Sequence, residues 1–84
     1  MNTGVVIEGK HLTLDVDRVT RLSDISHGDH LLTLYPPTGK MVHVEVVQVF
    51  NTRAIVELVR HGHTGITWSI SRSDIKAGVF IINV

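Results

Sequence analysis

The 84 residues carry eight Lys and Arg against eight Asp and Glu, so the formal net charge is zero. This balance excludes a nucleic-acid binder that relies on a large overall positive charge and leaves only a local basic patch for such contact. Cysteine is absent, which excludes disulfides and thiolate metal sites. No apolar run approaches the roughly 20 residues that a membrane-spanning helix needs, and the first residues lack a signal-peptide pattern. We therefore expect one cytoplasmic domain over residues 1–84, with no membrane contact.

Apolar and polar residues alternate with period two along most of the chain, which predicts an all-β fold. The first two strands are "VVIE" and "HLTLDV". They flank Gly9 and Lys10, and a glycine at the first position of a two-residue connection predicts a type II′ hairpin turn. In the next segment, Val19, Leu22 and Ile25 recur every third residue and predict a short helical turn.

The middle of the chain predicts the longest strands. "HLLTLY" ends at Pro36 and Pro37, which cannot donate to a strand ladder. "MVHVEVVQVF" follows, and its apolar residues change parity between Val46 and Val47. Such a change predicts a β-bulge at this point, because one extra residue moves the following side chains to the other face.

The remaining strands are predicted at "RAIVELV", "ITWSIS" and "VFIINV". The segment "RHGHTG" joins the first two of them and reads as a polar connecting loop. "RSDIKAG" precedes the last strand, and its single aliphatic side chain, Ile75, predicts an anchored 3₁₀ turn. The pattern thus holds about seven short strands joined mostly by hairpin-length connections.

Residues 28–84 resemble the SH3-like small barrels, the group that includes Tudor and KOW modules. The resemblance rests on the order of elements: a loop ending in Gly28 and Asp29, three meander strands, a short turn at "SDI" and a final strand. It implies a barrel of about five strands, to which residues 1–27 add an N-terminal hairpin and loop. It also implies that ligands lie across the loops at the barrel rim.

A predicted binding surface follows from that implication. Basic, aromatic and histidine side chains border the expected loops and could contact phosphate or an acidic peptide. The alternative is ordinary surface charge that pairs with acidic neighbours across strands. The candidate residues are Tyr35, Lys40, Arg60, His61, His63, Arg72 and Lys76.

A second predicted surface is apolar. Several aliphatic or aromatic side chains fall on the wrong parity for a single barrel core, and together they would form an interaction patch. A homo-oligomer or a larger protein partner would cover it; alternatively the N-terminal hairpin packs over it. The residues are Leu31, Ile55, Val59, Phe80 and Ile82.

Catalytic motifs are lacking in the sequence. His61 and His63 have the i, i+2 spacing that could supply two metal ligands, but no further ligand motif accompanies them. We predict no catalytic residue, no metal and no cofactor. The most economical hypothesis is a non-catalytic module that binds a protein through apolar contact and backbone edge pairing, as a small regulatory, inhibitory or assembly factor would. The alternatives are nucleic-acid binding through the basic loops and an oligomeric enzyme or metal-binding protein.

Overall fold

The computed structural model describes residues 1–83 and confirms the all-β class. The only helical elements in this range are a 3₁₀ turn and one short α-helix. The elements in chain order are β1 (Asn2–Ile7), β2 (Lys10–Arg18), the 3₁₀ turn (Leu22–Asp24), β3 (His30–Tyr35), β4 (Lys40–Val49), β5 (Arg53–Val59), β6 (His63–Ser71), α1 (Arg72–Gly78) and β7 (Phe80–Ile82).

All seven strands join one antiparallel sheet in the order β1-β2-β7-β3-β4-β5-β6. The last strand, β7, returns to pair with both β2 and β3. Within residues 1–83 the outermost strands β1 and β6 do not pair with each other. The sheet is therefore open and includes all seven strands, whereas the sequence predicted a barrel of about five strands with an added N-terminal hairpin.

The sheet curls strongly around one face. The predicted bulge is confirmed, because the pairing of β4 with β5 shifts register between Val46 and Gln48. A bulge increases local twist and bends its strand. As a result the rings of Tyr35 on β3 and Trp68 on β6 come into contact, although β4 and β5 lie between their strands.

The core lies on the concave face of this curled sheet. Alternate residues of β4, β5 and β6 point into it, and Val44, Val56 and Leu58 are fully buried. The open side of the core is closed by the 3₁₀ turn region and by α1, with their aliphatic side chains packed on the sheet. Those side chains are Val19, Leu22, Ile25, Ile75 and Val79.

Helix α1 is longer than the sequence predicted. An α-helix over Arg72–Gly78 replaces the expected 3₁₀ turn, and Ile75 is buried as predicted. Asp74 caps the first turn of this helix, because its carboxylate accepts a hydrogen bond from the Ser71 backbone N–H at 2.8 Å.

The N-terminal hairpin is confirmed, but its turn lies one residue earlier than predicted. Ile7 pairs with Lys10, so Glu8 and Gly9 form the connection. Both have positive φ, 49° and 83°, which is the type I′ geometry rather than type II′. The hairpin folds over the outer face of the sheet, where Val16 and Leu32 are buried. Its tip is held by the Glu8 N–H, which donates to the Met41 carbonyl at 3.3 Å.

Candidate functional site

Strand β6 forms a free edge of the sheet. Within the described residues it pairs only with β5, whereas the other outer strand, β1, lies close to β4 where the hairpin folds over. The regular part of β6 runs over residues 67–71, paired one to one with residues 53–57 of β5. This segment, "TWSIS", contains no charged residue and no proline.

The hydrogen bonds at the end of β6 show which backbone groups face outward. The Arg53 carbonyl accepts from the Phe50 N–H at 2.8 Å, so it points toward β4 and away from β6. Its partner Ser71 donates its N–H to Asp74 instead of to β5. Arg53 and Ser71 are thus a non-hydrogen-bonded pair. Because the two kinds of pair alternate in an antiparallel ladder, the N–H and C=O groups of Thr67 and Ser69 also point away from β5.

The beginning of β6 carries a bulge. The pairing with β5 shifts register between Glu57 and Val59, so that residues 64–66 stand opposite Leu58. Side chains fix this distortion: the Thr64 hydroxyl donates to the Leu58 carbonyl at 2.6 Å, and the Gly65 N–H donates to Glu57 at 2.8 Å. The regular edge therefore begins at Thr67.

The "RHGHTG" segment holds its two histidines in different environments. His61 lies in the turn with a φ of 54° and is exposed. His63 begins β6, and its Nδ1 lies 3.1 Å from a Glu57 carboxylate oxygen. In residues 1–83, no group of three or more His, Asp or Glu side chains is arranged to hold a metal ion.

The predicted binding residues lie at two opposite ends of the sheet. One group lies where β3 and β5 end or where the next strand begins, and it consists of Tyr35, Lys40, Arg60, His61 and His63. The other group, Arg72 and Lys76, follows the far end of β6. Arg60 forms an ion pair with Glu8 of the hairpin turn, donating from Nε at 2.7 Å. This hydrogen bond lowers the pKa of Glu8 and raises that of Arg60. Arg60 therefore pins the hairpin to the sheet.

The predicted apolar patch needs one correction. Leu31 is fully buried in the core, because it faces the concave side together with its partner Val44. The expectation that Leu31 is exposed is therefore wrong. The other four residues are half-buried: Ile55 and Val59 on β5, and Phe80 and Ile82 on β7. Phe80 borders a cavity of about 280 Å³ beneath the N-terminal hairpin.

A pair of histidines on the outer face of the sheet was not predicted as a unit. Nδ1 of His30 lies 2.7 Å from Nε2 of His43, and the other nitrogen of His30 lies 3.5 Å from Glu45. Burial lowers the pKa of His43, and the nearby charge of His30 lowers it further, while Glu45 opposes the shift. The strand register that joins these residues, with His30 opposite Glu45, depends on long-range pairing and has no local signal.

Trp68 anchors the middle of the edge strand. It is half-buried against the core, and its ring centroid lies 5.0 Å from that of Tyr35. Its indole Nε1 is buried and has no hydrogen-bond acceptor among the described residues. An unpaired buried N–H costs roughly 1–3 kcal/mol, so packing rather than hydrogen bonding holds Trp68 in place.

Comparisons of the chain with protein-family models, with curated proteins and with solved structures gave no match.

Across residues 1–83, no helix has the length and apolar character needed to cross a membrane.

Proposed function

We propose that this protein is a non-catalytic binding module that captures an extended segment of a partner protein by adding it as a strand to β6. The observation that carries the proposal is the edge at Thr67–Ser71, where the N–H and C=O groups of Thr67 and Ser69 face away from the sheet. A partner strand could satisfy both pairs of groups with backbone hydrogen bonds, which is how strand addition supplies affinity.

The chemistry of the edge supports this proposal. Sheet edges that must stay unpaired usually carry lysine, proline or inward-pointing charges that block another strand. The regular part of β6 has none of these, and its side chains are three hydroxyl groups, one isoleucine and one indole. The bulge at residues 64–66 distorts only the first part of the strand, which limits the edge available for pairing to about five residues.

The side chains along the edge define the kind of partner segment. Trp68 and Ile70 point to the concave face, and Ile66 beside them is 40% exposed. Thr67 and Ser69 point to the outer face and are exposed. Because side chains of a paired strand alternate in the same way, the partner segment would carry apolar residues on one face and small polar residues on the other.

The element order is consistent with a relationship to the SH3-like group. Strands β3 to β6 follow one another in the sheet, a single helix separates β6 from β7, and β7 returns beside β3. The resemblance drawn from the sequence rested on three meander strands and a short turn, whereas four strands and an α-helix precede the last strand here. We propose that the chain is an opened member of this architecture, in which the N-terminal hairpin covers part of the outer face.

A pair of variants at one position tests strand addition directly. A library of displayed ten-residue peptides is selected against the wild-type protein, and the affinities of the selected peptides are then measured for Ser69→Pro and Ser69→Ala. Proline removes the outward N–H of residue 69 without removing a bond to β5, whereas alanine keeps that N–H. We expect Ser69→Pro to lose binding by at least about tenfold and Ser69→Ala to retain it.

Two further exposed positions serve as controls for a general surface effect. Val6 on the opposite edge is 46% exposed and Leu34 on β3 is 44% exposed, similar to Ile66. Lysine at Ile66 should weaken the selected peptides, and lysine at Val6 or Leu34 should not. Peptides that bind Ser69→Pro as tightly as wild type, or that are lost with Val6→Lys, would contradict the proposed site.

A further inference from the structure

A cleft with basic walls lies at the far end of β6, apart from the edge itself. It has a volume of about 390 Å³ and opens between the 3₁₀ turn and α1. Its charged walls are Arg21, Arg72 and Lys76, and its lining includes no acidic residue and no aromatic residue. The cleft thus concentrates positive charge in a chain whose formal net charge is zero.

The carboxylates of the two elements that form the cleft, Asp24 in the 3₁₀ turn and Asp74 in α1, are engaged in local contacts. Asp24 accepts hydrogen bonds from the Arg21 N–H at 3.2 Å and the Thr20 hydroxyl at 3.1 Å, and lies 3.7 Å from the Arg21 guanidinium. Asp74 accepts from the N–H and hydroxyl of Ser71 at the start of α1. Among residues 1–83, no carboxylate forms an ion pair with Arg72 or Lys76. These two cations are free to bind an anion.

The walls of the cleft are held in place by the core. Leu22 and Ile75 line its base and are buried, at 7% and 5% exposure. Arg18 ties α1 to the body by donating to the Lys76 carbonyl at 3.0 Å. The backbone positions of the basic residues are therefore set before a ligand arrives, which reduces the ordering cost of binding.

We propose that this cleft is a binding site for a phosphate group. The guanidinium of Arg72 and the ammonium of Lys76 border the space, and the Arg21 guanidinium beside them is paired with Asp24. Ser23 and Asn51 add neutral donors to the same lining. Arginine forks match the geometry of phosphate oxygens, and lysine supplies a point charge. Because aromatic residues are lacking in the lining, the site would recognise the phosphate itself and not stack on a base.

The phosphate could belong to a small molecule or to a nucleic-acid backbone. The experiment titrates three probes into ¹⁵N-labelled protein at constant ionic strength: inorganic phosphate, adenosine monophosphate and a twelve-nucleotide single-stranded DNA. The test variant is Arg72→Gln/Lys76→Gln. The matched control is Lys10→Gln/Lys40→Gln, which removes the same charge at the other end of the sheet. Both variants are first checked for an unchanged fold by their amide spectra.

We expect saturable shifts of the Asn51, Arg72 and Lys76 amides in the wild type and the control. The test variant should lose affinity by about tenfold for each cation removed. Saturation by phosphate or the mononucleotide assigns a small-molecule site. Saturation by the oligonucleotide alone assigns the nucleic-acid backbone. In that case the slope of the logarithm of the binding constant against the logarithm of the salt concentration should be smaller by about 1.4 in the test variant. No saturation with any probe, or equal losses in both variants, would overturn the proposal and leave the β6 edge unaffected.

Discussion

The ring centroids of Tyr35 and Trp68 lie 5.0 Å apart and the ring planes are tilted by 42°, although two strands separate these residues in the sheet. The contact spans the concave face from β3 to β6. It ties the free edge strand to the core and buries the indole Nε1 without an acceptor in the described part of the chain. The proposed binding edge is therefore held in shape by aromatic packing.

Substitution of Trp68 separates packing from hydrogen bonding. Trp68→Ala should lower the free energy of unfolding by about 2–4 kcal/mol, because it removes a large, half-buried side chain from the core margin. Trp68→Phe should change it by less than about 1 kcal/mol, because the ring contact is kept and the unpaired N–H is removed. Urea denaturation measures both values. A loss in Trp68→Phe as large as that in Trp68→Ala would show that the indole N–H has a partner.

Leu31 and Ile55 distinguish the two faces of the sheet. Leu31 is completely buried, so Leu31→Ala should cost about 3 kcal/mol of stability. Ile55 is half-buried on the outer face, and Ile55→Ala should cost about 1 kcal/mol. Thermal or urea unfolding of the two variants gives the comparison. Equal costs would mean that the outer face of β5 is covered as fully as the core.

The hydrogen-bonded pair of His30 and His43 predicts a pH dependence of stability. The pKa of His43 is lowered in the folded protein by burial first and by His30 second. When the pH falls below about 6.5, the ordinary pKa of histidine, His43 binds a proton more readily in the unfolded chain than in the folded chain. Stability should therefore fall as the pH decreases from about 6.5 through the lowered pKa of the folded state. Melting temperatures at pH 5 to 8 measure this dependence.

The groups that face His43 determine the control variant for the measurement of melting temperature against pH. His43 faces His30 on β3, and Glu45 on the same strand partly offsets the shift. His43→Gln keeps a polar side chain but removes the titration, so its melting temperature should depend less on pH than that of the wild type. A steeper dependence in the variant would show that another group controls acid sensitivity.

Local patterns predicted the strands well because side-chain direction follows sequence parity. The N-terminal hairpin and the bulge beside Val46 follow from short-range alternation. The burial of Ile75 follows from its being the single aliphatic side chain of a polar segment. The turn at Glu8 was missed because a non-glycine residue adopts positive φ there. The length of α1 was missed, although Ser71 and Asp74 form a capping box, which is a local signal for the start of an α-helix.

The long-range pairing of the strands could not be predicted from the sequence. Which strand lies at the edge depends on β7 returning between β2 and β3, and no local motif encodes that choice. The exposure of Leu31 was predicted wrongly for the same reason, since parity alone does not say which face is covered. The basic cleft combines Arg21 and Asn51, which lie in two separate loops, with Arg72 at the start of α1.

Amide hydrogen exchange along β6 tests the central claim most directly. In the free protein, the amides of Thr67 and Ser69 should exchange rapidly while those of Trp68 and Ile70, which point to β5, are protected. Addition of a selected peptide should protect Thr67 and Ser69 and leave the other two unchanged. If Thr67 and Ser69 are already protected in the free monomer, or stay unprotected when the peptide is bound, strand addition at β6 is not how this protein binds.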